Sequence, residues 1–173
     1  MKKKNIFIYL SLSLLIISLI VNYQLYQENR EFKSRIGSNY QSIVRNTLFK
    51  LDSYSSIDWE ETLQQEDGKV FLAQYTNRFN TFQKEYSYIP GLPMLDTVFP
   101  AIVYDVYYLE KAINNYEKTD DLVDDMNTNM LFCQNVLTDL EDEFGEDSIK
   151  WYKELSSSNS ETAKDFLNDI MRY

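Results

Sequence analysis

The chain has 173 residues, with 17 basic and 27 acidic side chains, no histidine and one cysteine. The lack of histidine excludes Ser-His-Asp and Cys-His catalysis and histidine-based zinc sites, and a single cysteine excludes an internal disulfide. From residue 24 onward there are 14 basic and 27 acidic side chains, a net charge of −13. Such a domain is repelled by phosphate backbones, which argues against nucleic acid as a partner.

The N-terminus has the pattern of a membrane anchor. Lys2, Lys3 and Lys4 precede nineteen uncharged residues, 5–23, whose centre, 6–21, holds only three polar residues, all of them serines. As a helix, nineteen residues rise about 28 Å, close to the thickness of a hydrocarbon core. Because the lysines come before the segment, the positive-inside rule predicts a cytoplasmic N-terminus and a domain outside the cell membrane. The pattern predicts a single-pass signal anchor that contacts membrane lipid.

Two alternatives stay open for this segment. A cleaved secretory signal has the same charged start and apolar run, but residues 17–23 lack the small residues of a cleavage site. A buried helix of a soluble core is the other alternative, and the lysine triplet at the terminus argues against it.

The residues after the anchor predict a helix that continues into a folded domain. Residues 22–54 contain no proline and one glycine, and apolar residues recur at steps of three and four from Leu25 onward. Residues 24–34 are polar, which indicates a stalk. We therefore divide the chain into a cytoplasmic tip and anchor (1–23), a juxtamembrane helical stalk (24–34) and an extracytoplasmic domain (35–173).

The domain is predicted to be all-α. Apolar stripes indicate a second helix over 58–86, either continuous or split at Gly68, a third from Asp96 or Thr97 to about 116, and a fourth from Thr119 or Asp120 to Phe144. The second stripe includes Val70 and Phe71, and the third runs from Val98 to Tyr116. Asp58 with Glu61 predicts a cap for the second helix, and Pro100 falls in the first turn of the third. A short helical segment follows over 146–155, and a last helix over 161–172 is capped by Ser158 with Glu161. Four glycines and three prolines oppose an all-β fold, which needs many turns. The prediction is an antiparallel bundle of about four main helices with one or two short ones.

No motif predicts a catalytic, cofactor or metal site. The aspartates at 120, 121, 124 and 125 lack the alternation and the glycine of a calcium loop, so they indicate a solvated acidic face at a helix N-terminus. Cys133 lies on the apolar stripe of the fourth helix, which predicts a buried, inert thiol.

One connection is a candidate for binding. The segment 88–95 is apolar and contains both Pro90 and Pro93. Loops on rigid scaffolds often carry binding function, although this one can equally plug the end of the bundle. The candidate contact residues are Tyr88, Ile89, Leu92, Met94 and Leu95.

These features predict a non-catalytic, membrane-tethered protein that binds another envelope protein. The alternative is a sensor-like helical module that holds a small apolar or aromatic molecule, because the chain has 14 tyrosines and 10 phenylalanines. A hydrolase is the weakest hypothesis, because no motif fixes two carboxylates across a cleft.

Overall fold

The computed structural model describes residues 2–92 and 95–172, with side chains described for 9–92 and 95–168. All regular elements in these ranges are helices. They are α1 (Lys2–Ser55), α2 (Trp59–Gln64), α3 (Gly68–Tyr86), α4 (Leu95–Asn114), α5 (Asp120–Phe144), α6 (Ser148–Leu155) and α7 (Glu161–Arg172). The all-α prediction is confirmed.

The first helix is continuous from its apolar segment into the folded part of the chain. It is the one helix in the described ranges that is long and apolar enough to cross a membrane. Every described side chain from residue 9 to Phe32 is exposed, and partial burial begins at Lys33. From residue 9 onward the apolar segment is therefore not covered by any described part of the chain.

The other helices pack on the C-terminal part of α1. Helix α5 lies between α1 and α4, α3 packs on α4, and α6 lies along α1 with α7 against it. The end of α1 also meets α3, where the ring centroids of Tyr54 and Tyr75 are 4.6 Å apart. The core between these helices is strongly aromatic and contains Trp59, Phe79, Phe82, Tyr86, Phe99, Phe144 and Trp151.

Local signals explain most helix ends. The Asp58 carboxylate accepts a hydrogen bond from the Glu61 backbone N–H at 2.9 Å, which confirms the predicted cap of α2. Gly145 ends α5 with φ +49°, a conformation that glycine adopts without steric cost. The cap of α7 was wrong by two residues, because Ser160 Oγ rather than Ser158 accepts from the Ala163 N–H.

Other boundaries also differ from the prediction. The stretch 58–86 has the split that the sequence left open: α2 and α3 are separated at residues 65–67, directly before Gly68. Helix α4 begins at Leu95, before the predicted cap, so Pro100 falls in its second turn rather than its first.

Three residues placed on core stripes are on the surface. Val70 is exposed because it precedes the core residue Phe79 by nine positions, which is half a turn away around the helix. Phe71 is also exposed. Tyr116 is fully exposed because it lies beyond α4 with φ 58°, where the chain leaves the helix.

Two glycines permit helix α6 to lie close to its neighbours. A Cβ atom at Gly37 would lie 1.7 Å from the Ser148 carbonyl oxygen, and one at Gly91 would lie 2.5 Å from Leu155 Cα. Polar contacts add to this packing: the hydroxyls of Ser34 and Ser148 are 2.7 Å apart. Helix α6 thus fixes the base of the domain to the stalk end of α1.

Candidate interaction surface

The proline-containing connection contributes its apolar side chains to the core. Ile89, Leu92 and Leu95 are each no more than 2% exposed, whereas Tyr88 is 80% exposed. Met94 lies outside the described residues. The backbone of this connection is bound to the end of helix α6, because the Gly91 N–H donates to the Leu155 carbonyl at 2.8 Å. Of the described members of this candidate set, Tyr88 is the one that a partner could reach.

A different aromatic surface lies between α3 and α4. It is a groove of about 310 Å³, which we call the tyrosine groove. Its lining residues are Leu72, Thr76, Val103, Tyr104, Tyr107 and Tyr108. None of them is charged, and the three tyrosines are between 50% and 63% exposed. A groove with apolar walls and tyrosine hydroxyls at its edge resembles in composition the surfaces that bind other molecules.

Helical geometry explains why the tyrosines cluster. Positions 104, 107 and 108 are three and four residues apart, so they share one face of α4. The rings of Tyr107 and Tyr108 are in edge contact, with centroids 5.6 Å apart and an interplanar angle of 68°. The opposite face of α4 is occupied by Ile102, Val106 and Leu109, which are buried. Helix α4 therefore carries exposed aromatic side chains opposite its buried apolar face, and the exposed Lys111 follows Tyr107 by one turn on the aromatic side.

The sequence interpretation missed this groove. The abundant tyrosines and phenylalanines of the sequence predict a filled helical core with the tyrosine hydroxyls at its edge, and these three tyrosines lie outside that core. The available signal was that α4 carries three tyrosines outside the stripe that begins at Val98. A cluster of large exposed aromatic side chains opposite the buried face of a helix indicates a second contact surface.

A second cleft lies between α5, α6 and α7 and is acidic. It measures about 510 Å³, and the carboxylates on its walls are Asp139, Glu143, Glu154, Glu161 and Asp165. Lys150, also on its wall, is paired with Glu143 at 3.1 Å. In the described part of the chain, no three His, Cys, Asp or Glu side chains converge in a way that could hold a metal ion.

The remaining candidate residues have ordinary environments. The aspartates at 120, 121, 124 and 125 are exposed on the first turns of α5. Cys133 is fully buried, and burial raises the pKa of its thiol because a thiolate would lose its hydration. Arg45 links α1 to the end of α5: it bonds Glu141 and lies 2.7 Å from Glu146. The hydrogen bond from Arg45 lowers the pKa of Glu146, because it stabilises the charged carboxylate.

Comparison with known proteins gives no relative: no family model, no curated protein and no solved structure matches this chain.

Proposed function

We propose that the chain is a single-pass protein of the cell membrane with a cytoplasmic N-terminus and a helical domain outside. In this proposal residues 1–23 are the tip and anchor, 24–34 the stalk and 35–173 the domain, an antiparallel bundle built on α1, α3, α4 and α5. The uncovered apolar part of α1 supports the anchor, since a helix without protein contacts needs another apolar environment. The lysines at 2–4 support the orientation.

The domain acts by binding another envelope protein and is non-catalytic. The observation that carries this proposal is the tyrosine groove, an uncharged aromatic surface on an otherwise strongly acidic domain. Tyrosine is enriched at protein interfaces because it contributes a large rigid area and one hydroxyl. The acidic surroundings would favour a partner with basic residues around its contact area and would make association weaken with salt.

The position of the groove fits a contact made away from the bilayer. Leu72 and Thr76 flank Tyr75, which packs on Tyr54 at the far end of α1. Tyr54 follows Tyr23 by 31 residues, so this end of the domain stands about 46 Å from the end of the apolar segment. A partner anchored in the same membrane needs a domain of comparable height to reach the groove.

Site-specific photocrosslinking tests the contact. A photoreactive phenylalanine analogue at position 107, in cells that contain the full-length chain, should give a discrete adduct with another envelope protein. The same analogue at Tyr88, which is exposed outside the groove, is the matched control. Changing both Tyr104 and Tyr108 to Ser should reduce the adduct at position 107. Equal adducts at 88 and 107, or none at 107, would refute the assignment of the groove.

Protease treatment of intact, wall-stripped cells tests the topology. The domain should be digested while the N-terminal segment stays with the membrane. Protection of the domain, or a mature N-terminus near residue 23, would contradict the anchor.

A second candidate is a module that holds a small apolar or aromatic molecule. The dimensions of the tyrosine groove favour it, because about 310 Å³ is at the lower end of the range of small-molecule sites. Binding of a small aromatic compound that depends on Tyr107, with no protein adduct at that position, would favour this candidate over a protein partner.

A further inference from the structure

The stalk carries an uncovered face that continues into the membrane segment. Ser18, Asn22, Leu25, Asn29 and Phe32 follow one another at alternating steps of four and three residues, so they lie on one face of α1. We call these five residues the stalk seam. All five are exposed, with Leu25 at 56% and Phe32 at 62%. Every described side chain of α1 up to Phe32 is exposed, so the regular spacing of these residues, rather than their exposure, distinguishes this face from the others.

The alternating spacing is that of a heptad repeat. With Asn22 and Asn29 as the a positions, Ser18, Leu25 and Phe32 are the d positions. A polar asparagine at an a position costs stability but selects one register and one oligomeric state. Within the apolar segment, serine and asparagine are residues that join membrane helices by close approach and hydrogen bonding. Asn22 Nδ2 lies 3.4 Å from Ser18 Oγ, so the two polar groups are adjacent on this face.

The flanking charges complement those of an identical helix. In the same heptad frame Glu28 occupies g and Lys33 occupies e. In a parallel pair, the g residue of one helix faces the e residue of the next heptad on its partner, and opposite charges there favour pairing. Glu28 of one copy would therefore face Lys33 of the other, twice in a symmetric pair. Lys33 Nζ also lies 5.8 Å from the Tyr152 ring centroid, so in the pair this lysine would contact both that ring and Glu28 of the other copy.

We propose that a second copy of this chain packs on the stalk seam, forming a parallel two-stranded coiled coil from the outer half of the membrane segment to Phe32. The proposal rests on the membrane anchoring proposed above, because a common anchor makes the two stalks parallel and level. The anchor also raises the effective concentration of the copies in the plane of the membrane, and this offsets the stability that the two asparagines cost the seam. The pairing would end where α6 begins to cover α1, near Lys33.

Cysteine scanning in the full-length, membrane-embedded chain tests the seam. The native Cys133 is buried, so it does not compete with introduced thiols. Asn22→Cys, Leu25→Cys, Asn29→Cys and Phe32→Cys should each give a disulfide-linked dimer under mild oxidation. Gln27→Cys and Glu31→Cys lie at the same heights on the opposite side of α1 and are the matched controls. We expect at least a five-fold greater dimer fraction at the seam positions than at the controls.

Charge reversal tests the pairing independently. In the Leu25→Cys background, Glu28→Lys should lower the dimer fraction, and adding Lys33→Glu should restore it. Leu25 and Glu28 are exposed, and Lys33 is partly buried beside the Tyr152 ring. Lys33→Glu alone, in the same background, controls for the loss of that ring contact, and it should lower the dimer fraction as Glu28→Lys does.

The outcomes separate this proposal from the proposed function. The pairing proposal would be overturned by equal crosslinking around the helix or by no crosslinking at the seam. A double charge reversal that fails to restore the dimer would also overturn it. An inverted topology would instead show as failure of a membrane-impermeant thiol reagent to label Gln27→Cys from outside. The photocrosslink at position 107 does not depend on pairing at the seam.

Discussion

Replacing Gly37 by Ala should separate α6 from α1. The added Cβ would lie 1.7 Å from the Ser148 carbonyl oxygen and 2.8 Å from the Tyr152 backbone nitrogen. A carbon–oxygen contact normally needs about 3.3 Å, so α6 has to shift by roughly 1.6 Å. Both obstructing atoms belong to the backbone of α6, so no side-chain rotation can relieve the contact.

Two costs and one gain determine how much this substitution changes the free energy of unfolding. Forcing an extra methyl group into a packed contact costs about 2 kcal/mol. Losing the 2.7 Å bond between the Ser34 and Ser148 hydroxyls costs about 1 kcal/mol. Alanine in a helix interior is better than glycine by about 1 kcal/mol. The overpacking and hydrogen-bond costs, less the alanine gain, leave an expected net loss of about 2 kcal/mol.

Tryptophan fluorescence during urea unfolding of the full-length chain in detergent micelles measures this loss. Trp59 and Trp151 are both buried in the domain and neither lies in the apolar segment, so the signal reports the domain alone. The matched control is Ser38→Ala, at an exposed neighbouring position, which should leave stability unchanged or slightly raised. Stability equal to or above wild type in Gly37→Ala would refute the close packing of α6 on α1.

Three further predictions concern the domain. Tyr116 holds φ 58° at the end of α4, where the Glu117 N–H bonds the Ala112 carbonyl in a Schellman motif, so Tyr116→Gly should raise stability by about 1 kcal/mol in the same urea titration. Tyr116→Ala keeps the steric cost of positive φ and should give no such gain. Leu137, fully buried on α5, should lose about 2–5 kcal/mol on change to Ala, and a negligible loss would show that this face of α5 is not in the core. Burial raises the pKa of the Cys133 thiol, so labelling by iodoacetamide at pH 8 should be slow in the native chain and fast in urea; fast native labelling would contradict its burial.

Helices and their caps were predictable because their determinants are local. The stripe Met126, Met130, Cys133, Leu137 and Leu140 repeats at helical spacing, and all five side chains are buried as the periodicity indicates. Asp58 and Gly145 act through atoms within a few residues, so their roles can be read without tertiary structure. The cap of α7 was misplaced because serine is an acceptable cap at both 158 and 160, and the helix begins at Glu161, directly after Ser160.

The surface was less predictable because the exposure of a side chain depends on tertiary contacts between segments that are distant in the sequence. An apolar loop such as 88–95 has the same composition whether it faces a partner or the core. The burial of Leu92 follows from the position of α6, since Gly91 bonds Leu155. The tyrosine groove depends likewise on the contact between α3 and α4, helices that are joined by that loop. Neither contact can be inferred from the local spacing of residues in the sequence.

Helix α6 relates the two proposed surfaces to each other. It meets α1 at Ser34 and Gly37, directly after the stalk seam ends at Phe32, and it holds the connection before α4 through Gly91. The tyrosine groove lies on α3 and α4, whose relative position that connection fixes. A pair of chains joined along the seam would therefore present two grooves at a fixed height and in a fixed relative orientation. Two such sites on one particle can engage a repeated or dimeric partner with an avidity that exceeds the affinity of either groove alone.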